Sequence, residues 1–315
     1  MSKKIVVVGS SNTDITGRAE RLPRHGETVM GTAMMIGPGG KGLNQATAAH
    51  LAAKGSDCDM VFVSRIGNDA FGKVLIDHMN SVGMDRHAVI VSDTDTTGCA
   101  IIEIEEDSAQ NRIVVIPGAN SNLSADDIFA AENEIAAASA VLTQLEISLD
   151  TVKATKELAK KYNKPFILNP APAAPLSDEL LCGIDWFTPN ETEAAFYAGG
   201  KEPDSIDDVR EIANLLLAKG IKNVVITLGS RGAYWTDGKD EIVVPSRKVK
   251  AVDTVGAGDT FNGALAVAIA EELDGGVTVD GVKRALDFAN RAAGISVTRK
   301  GAASSCPTRE EILNF

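Results

Sequence analysis

The stretch "KIVVVGSSNTD" (Lys4–Asp14) places an apolar, β-branched run, Lys4–Gly9, directly before a polar segment. A short apolar run that ends at a glycine is typical of a strand buried on both faces of a parallel sheet. Similar runs recur at Met60–Gly67, Ala140–Glu146, Pro165–Pro170, Asp185–Asn190 and Asn223–Gly229. Segments with helical spacing separate them, at Leu43–Lys54, Ala70–Val82, Leu149–Tyr162 and Ile206–Lys219. This alternation predicts an α/β fold, with a doubly wound, mostly parallel central sheet flanked by helices.

Two segments interrupt the alternation. Residues 15–38 lack a helical pattern, and residues 94–118 have the pattern of a hairpin whose turn lies around Asp107–Gln110. Together they predict a small β-sheet that acts as a lid, although an edge hairpin on the main sheet would have the same pattern. No repeat or long linker appears, so we expect a single domain over residues 1–315.

The composition excludes several classes of protein. The net charge is −12 and no basic stripe is present, so nucleic acid and membrane surfaces are not expected partners. The cysteines, Cys58, Cys99, Cys182 and Cys306, are too far apart for a metal motif and suggest a reducing compartment. The N-terminal stretch "MSKKIVVVGSSN" has only four apolar residues before a polar turn, too few for a signal peptide, so a cytoplasmic location is expected.

The polar residues that stand out follow the predicted strands. Parallel sheets bind ligands at the carboxyl ends of their strands. The residues at these positions are Asn12, Asp14, Glu146, Asn190, Glu193 and Gly229–Gly232. Their placement predicts one shared binding edge.

The segment "DTVGAGDTFNGA" (Asp253–Ala264) carries the strongest chemical signal. Small residues at Gly256, Ala257 and Gly258 allow a ligand to approach the backbone, and the N–H groups at a helix start attract an anion such as a phosphoryl group. Asp259 beside such an anion hole could take a proton from an attacking hydroxyl. An Asp in this position could also be a plain helix N-cap.

Four further segments suggest ligand contacts, each with a simpler structural alternative. "GPGGKGLNQA" (Gly37–Ala46) is not a Walker A loop, but its glycines could face a polar ligand. Lys41 could contact that ligand or be a solvated lysine at the start of a helix. "GSSNTD" could bind vicinal hydroxyls or form Asx turns. "TPNETEA" (Thr188–Ala195) could hold water around Mg²⁺ or cap a helix. "TLGSRGA" (Thr227–Ala233) could pass beneath a nucleotide or form a tight hairpin.

Taken in order, these segments resemble those of the ribokinase-like sugar kinases. "LNPAPA" (Leu168–Ala173) and "SVTRKGA" (Ser296–Ala302) extend the similarity over nearly the whole chain. The resemblance is greatest to members that phosphorylate the 5-hydroxyl of D-ribose with ATP. It implies Mg²⁺, a K⁺ activator and a homodimer formed through the lid.

The resemblance also implies a role for each matching residue. Asp259 would be the catalytic base, with an anion hole formed by Gly256, Ala257 and Gly258. The sugar would be bound by Asn12, Asp14, Gly40, Lys41, Asn44, Glu146 and Asp259. The nucleotide, with its Mg²⁺, would lie near Asn190, Glu193, Thr227, Gly229, Ser230, Gly232, Gly258 and Asn290. The monovalent cation would lie in a loop formed by Asp253, Val255, Ser296, Arg299, Gly301 and Ser305.

Three positions depart from the family pattern. Leu43 replaces a small residue, which could change the fit of the sugar. "SAQN" (Ser108–Asn111) replaces a Gly-Glu-Asn turn, and Asn290 stands where some relatives have His, which could alter adenine stacking.

Three other functions remain open at this stage. The first is a kinase of the same family for another sugar or a nucleoside, such as fructose or adenosine, but segment 13–39 lacks the aromatic residues that a base would favour. The second is a non-catalytic sugar-binding regulator, whose signature would be a lost base, whereas Asp259 is present. The third is a nicotinamide-dependent dehydrogenase, which would need a G-x-G-x-x-G motif after the first strand, and "GSSNTD" does not supply it.

Overall fold

A computed structural model describes residues 2–106, 110–273 and 275–315. Within these residues the main sheet has nine strands. In chain order they are β1 (Lys3–Val8), β4 (Cys58–Gly67), β5 (Val89–Ser92), β8 (Ala140–Thr143), β9 (Phe166–Leu168), β10 (Trp186–Phe187), β11 (Val224–Thr227), β12 (Ala233–Thr236) and β13 (Glu241–Val244). The spatial order is β13-β12-β11-β10-β9-β8-β1-β4-β5.

In this spatial order, the seven strands from β11 through β1 to β5 pair in parallel. The strands β12 and β13 are antiparallel additions at one edge. The predicted doubly wound, mostly parallel sheet is therefore confirmed. The carboxyl ends of β1, β8, β9, β10 and β11 lie along the same edge of the sheet, because neighbouring parallel strands run in the same direction.

The helices alternate with the strands, as their apolar spacing predicts. In the described chain they are α1 (Lys41–Ala53), α2 (Ala70–Val82), α3 (Ala125–Ala130), α4 (Glu132–Ala137), α5 (Leu149–Lys161), α6 (Asp178–Leu181), α7 (Glu191–Ala198), α8 (Ile206–Ala218), α9 (Ala257–Glu272), α10 (Val279–Ser296) and α11 (Arg309–Asn314). No helix among these combines the length and the apolar character needed to cross a bilayer.

The strand β1 shows why the chain forms two apolar layers. Ile5 and Val7 pack into one core with α1, α9 and α10, whereas Val6 and Val8 pack into a second core with α5 and α8. All four side chains are fully buried. Each such burial stabilises the fold by about 1.5–3 kcal/mol, so a strand that is apolar at every position requires helices on both faces.

A separate small sheet contains four strands in the order β3-β2-β6-β7. They are β2 (Asn12–Ala19), β3 (Ala33–Gly39), β6 (Gly98–Glu105) and β7 (Asn111–Ile116). The 94–118 segment thus forms a hairpin in its own sheet and not an edge hairpin of the main sheet. Residues 107–109, which carry most of the predicted turn, lie outside the described residues.

The start of β2 differs from one sequence expectation. Asn12 and Asp14 were compatible with Asx turns, yet both lie in a strand that pairs with β3 and β6. Because residues two apart in a strand point to the same face, this register places both polar side chains on one face of the small sheet.

Candidate active site

The helix α9 begins at the glycine-rich turn. Gly256 is its N-cap, with a left-handed φ of 76°, and Asp259 is the third residue of the helix. The N-cap interpretation of Asp259 is therefore wrong, because its side chain does not cap the helix. The first N–H groups of a helix have no partner within the helix, and here the exposed Gly258 lies among them. The Ala257 N–H donates to the Thr254 carbonyl over 3.3 Å, whereas the N–H groups of Gly256 and Gly258 have no acceptor in the described part of the chain. The turn can therefore present these two N–H groups to an anion.

The carboxylate of Asp259 is buried and accepts two hydrogen bonds from α1. The side-chain amides of Asn44 and Gln45 each donate over 3.0 Å, to Oδ2 and Oδ1 respectively. The two helices approach closely because Gly263 has no side chain, since a β-carbon there would clash with the backbone of Gln45. Packing of α1 against α9 thus joins two motifs that lie far apart in sequence.

A cavity of about 170 Å³ opens beside this carboxylate. Its lining combines residues from both glycine-rich motifs with the carboxyl ends of β9, β10 and β11: Lys41, Asn169, Ala171, Thr188, Asn190, Glu193, Thr227, Gly256, Gly258, Asp259 and Asn262. A larger cavity of about 820 Å³ lies at the amino end of β9, where Lys153, Lys156 and Lys160 line it. It holds none of the predicted site residues, so we assign the site to the smaller cavity on chemical grounds.

Charged groups of both signs meet at the cleft. Lys41 lines the cavity, so this lysine is a cleft residue and not a solvated one. The carboxylate of Asp259 raises the pKa of Lys41 against the opposing effect of burial, and those of Glu146 and Glu193 add to the rise. Burial raises the pKa of Glu193, with a smaller contribution from Asp259. Glu193 also forms a capping box with Asn190, accepting the Asn190 N–H over 2.9 Å. Glu193 therefore caps α7, as the simpler structural alternative predicts, and it also lines the cleft.

Asp14 lies at the small-sheet side of the same cleft. Burial raises its pKa to about 7, and the charges of Glu146 and Asp259 add to the effect. Glu146 is fixed in turn, because its Oε2 accepts hydrogen bonds from Ser10 Oγ at 2.6 Å and from the Lys41 N–H at 2.9 Å. Three carboxylates therefore converge at a place suited to binding several hydroxyl groups.

Small residues flank Asp14 on the small sheet. It pairs with Gly37 on one side and Ala100 on the other, and Asn12 pairs with Gly39 and Gly98. A β-carbon on Gly39 would overlap the Asp14 carboxylate. The polar side chains of Asn12 and Asp14 therefore have only glycine and alanine beside them on the neighbouring strands, which leaves room for a ligand. Asn12 itself is buried, and its Oδ1 accepts a hydrogen bond from Asn120 at 2.7 Å.

The predicted nucleotide residues form two groups. Thr227 lines the cavity and bridges to Asn190, and the following turn brings Gly229 (φ 54°) and Gly232 (φ 102°) beside exposed Ser230. Asn290 is separate from the cavity lining. It is buried in α10, where its amide donates to the Val244 carbonyl over 3.0 Å.

The predicted cation-loop residues come together beside the glycine-rich turn that precedes α9. Asp253 accepts hydrogen bonds from the N–H groups of Val255 and Gly301, each over 3.0 Å. The side chain of Arg299 forms an ion pair with Glu311, and Ser296 and Ser305 are buried with their hydroxyls bonded to nearby carbonyls. The loop before α9 is thereby tied to the loop after α10.

Several residues of the site were not singled out from the sequence. Gln45, Asn169, Thr188 and Asn262 form a buried network next to Asp259. The sequence does contain a signal for Gln45, which is a glutamine within the Ala-rich helix that begins at Lys41. Polar residues at buried helix positions require hydrogen-bond partners. The side chain of Leu43 is fully buried in the core with α9 and does not enter the cleft. The expectation that Leu43 changes the fit of the sugar is therefore not supported.

Residues 2–309 match the family described as pfkB family carbohydrate kinase. The chain is 40% identical over 316 residues to a ribokinase of Haemophilus influenzae, covering 100% of this chain and 99% of that protein. It is 36% identical over 312 residues to a deoxyribokinase of Salmonella typhi, covering 99% and 98%. A solved structure of Arabidopsis thaliana ribokinase complexed with ribose and ATP aligns with a TM-score of 0.89 at 33% identity, covering 100% and 98%.

The chain therefore belongs to the pfkB family of carbohydrate kinases. These relatives confirm the predicted resemblance to ribokinase and the prediction that the chain is an enzyme of the ribokinase type, a phosphotransferase with an alcohol group as acceptor. They also agree with the observed architecture of a large, mostly parallel sheet accompanied by a small sheet.

Proposed function

We propose that the protein transfers the γ-phosphoryl group of ATP to the 5-hydroxyl of D-ribose, giving ribose 5-phosphate and ADP. The observation that carries this proposal is the position of Asp259, a buried carboxylate in the first turn of α9, beside the N–H groups of that turn and within the cleft that Lys41 lines. The similarity to ribokinases, including one whose structure contains ribose and ATP, supports the choice of substrates.

The chemistry follows from this arrangement. Asp259 accepts the proton of the sugar hydroxyl as its oxygen forms a bond to the γ-phosphorus, and the bond from that phosphorus to the oxygen of ADP breaks. The N–H groups of the turn at Gly256, Ala257 and Gly258 stabilise the negative charge on the transferring group. Lys41 supplies a fixed positive charge at the same place.

We assign the hydroxyl groups of the sugar to the small-sheet side. Asp14 and Glu146 can accept hydrogen bonds from hydroxyls, whereas Asn12, Asn44 and the backbone at Gly40 complete the set. Gly40 has a φ of 87° and a β-carbon there would lie 2.7 Å from the Asn12 N–H, so only glycine permits this close approach. A hydroxyl-rich ligand suits a surface made of acceptors and amides.

The nucleotide is proposed to lie along Asn190, Thr227 and the turn Gly229–Gly232, with Asn290 behind it. The residues present fit Mg²⁺, because Glu193 has a carboxylate at the cleft and Mg²⁺ keeps most of its waters. Within the described residues no cluster of three or more His, Cys, Asp or Glu side chains could enclose a metal. Glu193 would therefore hold the waters of a nucleotide-bound Mg²⁺, which neutralises phosphate charge.

The residues near Asp253 also fit a K⁺ ion. In the described part of the chain, the carbonyl oxygens of Asp253, Val255, Arg299 and Gly301 show no hydrogen-bond donor. Such oxygens suit a weakly hydrated cation. A K⁺ ion held there, with Ser296 and Ser305 completing the loop, would order the turn at Gly256 without contacting the sugar.

We also propose that two copies associate through the outer face of the small sheet. Ile36, Ile101 and Val114 lie in one row across this sheet and are 48%, 44% and 60% exposed. An apolar row of this kind is a typical protein–protein contact.

We further propose a cytoplasmic location, since Cys58, Cys99, Cys182 and Cys306 are all free thiols.

A second candidate substrate is 2-deoxyribose, because one similar relative is a deoxyribokinase. A panel of pentoses, 2-deoxyribose, fructose and adenosine, assayed for ADP release with ATP, Mg²⁺ and K⁺, tests both. The proposal predicts the highest kcat/KM with ribose. Inert ribose together with rapid turnover of adenosine, fructose or deoxyribose would contradict it.

A further inference from the structure

A chain of buried side-chain amides runs behind Asp259. The Nε2 group of Gln45 donates to Asp259 Oδ1 and to Asn169 Oδ1, each over 3.0 Å. The Nε2 group of Gln144 donates to Gln45 Oε1 over 2.7 Å. Gln45 and Gln144 are fully buried, and Gln45 is not part of the cavity lining. Of these amides only Gln45 contacts the carboxylate, and it does so from outside the cavity lining.

The direction of every hydrogen bond in this amide network is fixed by the acceptors at its two ends, the Asp259 carboxylate and the Thr188 carbonyl. An ionised carboxylate can only accept, so Gln45 must present its NH₂ group to Asp259. Its oxygen is then left for Gln144, which must donate. Asn169 accepts from Gln45 through Oδ1 and donates through Nδ2 to the Thr188 carbonyl over 2.9 Å. If the side-chain amide of Gln45, Gln144 or Asn169 were flipped by exchanging its oxygen and nitrogen, two hydrogen-bond acceptors would face each other.

The network continues to the first turn of α9. The Thr188 hydroxyl donates to Asn262 Oδ1 over 2.5 Å, and the Asn262 amide donates to the Gly258 carbonyl over 2.8 Å. The same buried set thus contacts the side chain of Asp259 and the backbone beside it. The carboxylate and the first turn of α9 are held in one arrangement.

The fold tolerates a cost to accommodate this network. Gln144 Oε1 is buried without a hydrogen-bond partner among residues 2–106, 110–273 and 275–315. A β-carbon on Gly9 would clash with the Gln144 side chain, so a glycine in β1's terminal turn makes room for it. Buried unpaired amide oxygens are unfavourable, which indicates that the position of Gln144 is set by its bond to Gln45.

The two oxygens of Asp259 consequently have different surroundings. Oδ1 is held by Gln45 from behind, whereas Oδ2 is bonded to Asn44, a proposed sugar ligand. We propose that Gln45 is a positioning residue that holds Oδ1 and leaves Oδ2 as the oxygen that receives the proton of the sugar. This inference rests on the proposed function of Asp259 as the base.

The expected effect of removing this bond is specific. Gln45→Met keeps the side-chain length but has no N–H group, so the carboxylate loses a donor and its fixed orientation. We expect kcat to fall about ten- to hundredfold, while the KM for ribose changes less than about threefold. Loss of a donor favours the protonated carboxyl form, so the acidic limb of the kcat profile should move to higher pH.

Other titratable groups lie near the same carboxylate, and the variants leave them unchanged. Lys41, Glu193, Asp14 and the thiol of Cys306 all interact electrostatically with Asp259. The measured quantity is consequently the difference between the Gln45→Met and wild-type profiles under identical, saturating substrate conditions. None of these four groups changes in the variant.

The matched control is Asn223→Leu. Asn223 is also a buried amide with two side-chain hydrogen bonds, to the Asp185 carbonyl and from Trp235 Nε1, but it lies at the amino end of β11. This variant should lose thermal stability and retain the wild-type kcat and pH profile. A fall in kcat equal to that of Gln45→Met would show that loss of any buried amide is sufficient, and would overturn the proposal.

A second variant covers the case in which Gln45→Met does not fold. Gln144→Met leaves Gln45 in place but removes the donor that orients it, so a smaller loss of kcat and a profile shift in the same direction are expected. Wild-type kcat and profile in whichever variant folds would overturn the positioning role alone. Failure of the wild-type protein to phosphorylate ribose would instead count against the proposed function, so the two failures are distinguishable.

Discussion

Gly256 packs so closely against Ala302 that a β-carbon on residue 256 would lie 2.7 Å from the Ala302 α-carbon. This contact joins the turn before α9 to the loop after α10, and the Asp253–Gly301 hydrogen bond lies beside it. The glycine-rich turn before α9 is therefore shaped by a second loop and not by its own sequence alone.

Replacement of Gly256 by Ala should destabilise the protein. The left-handed φ of 76° costs an alanine about 1–2 kcal/mol, and the contact with Ala302 adds to this. We expect the free energy of unfolding in urea to fall by about 2 kcal/mol or more. Gly258→Ala is the control, because no heavy atom lies within 4 Å of its added β-carbon. Equal stability of the two variants would contradict the structural account of the turn.

Replacement of Asp259 by Asn should separate binding from catalysis. The amide retains the size of the side chain but cannot accept the proton, so we expect kcat to fall by about 10²–10⁴-fold. Ribose binding, measured by calorimetry, should persist. Asp280→Asn, an exposed first-turn aspartate of α10, should leave kcat unchanged. Wild-type turnover by Asp259→Asn would mean that another group is the base.

The raised pKa of Asp14 predicts a pH-dependent cost to the fold. Since the folded-state value of about 7 exceeds the ordinary value of 3.8, the cost is absent at low pH and grows as pH rises towards 7. The full shift corresponds to about 4 kcal/mol, and partial exposure reduces this to about 2 kcal/mol. Asp14→Asn should therefore stabilise the protein more at pH 8 than at pH 5 in urea denaturation.

The control for this prediction is Asp126→Asn, an exposed aspartate in the first turn of α3. Its effect on the free energy of unfolding should be the same at pH 5 and pH 8. A gain for Asp14→Asn that does not grow with pH would show that burial beside Glu146 does not perturb Asp14. Sugar binding should weaken in the same variant, because the proposed acceptor is lost.

Potassium should increase activity more than sodium. The proposed cation would bind carbonyl oxygens around Asp253, and ordering of that loop would set the turn at Gly256. ADP release at constant ionic strength in KCl, NaCl and choline chloride measures the effect, and we expect several-fold higher activity in KCl. Equal rates in the potassium and sodium salts would remove the cation-loop assignment.

The homodimer proposal predicts a surface variant that dissociates. Val114→Glu places a charge in the exposed apolar row of the small sheet and should give a monomer in light scattering, whereas the wild type should have the mass of a dimer. Leu215→Glu, on the exposed side of α8, is the matched control because that leucine is 47% exposed elsewhere. A wild-type protein that is monomeric at every concentration would exclude this interface.

Local patterns in the sequence predicted most of the elements. The helix Ala70–Val82 agrees with its prediction at both ends, and β1 differs from the predicted run only at its boundaries. These elements depend on the spacing of apolar residues and on caps within a few positions, such as Asp69 before α2. Local physical chemistry is sufficient for such features.

The sequence by itself determined the strand and helix order, the glycine-rich turns and, through the resemblance, the family. Tertiary structure decided which residues meet: it showed that Gly256 packs against Ala302, that β2 pairs with β6, and that Gln45 holds Asp259. These relations join positions as much as 214 residues apart, and no local periodicity encodes them. They arise because two layers of helices must bury their apolar faces on one sheet, which fixes the distance between α1 and α9.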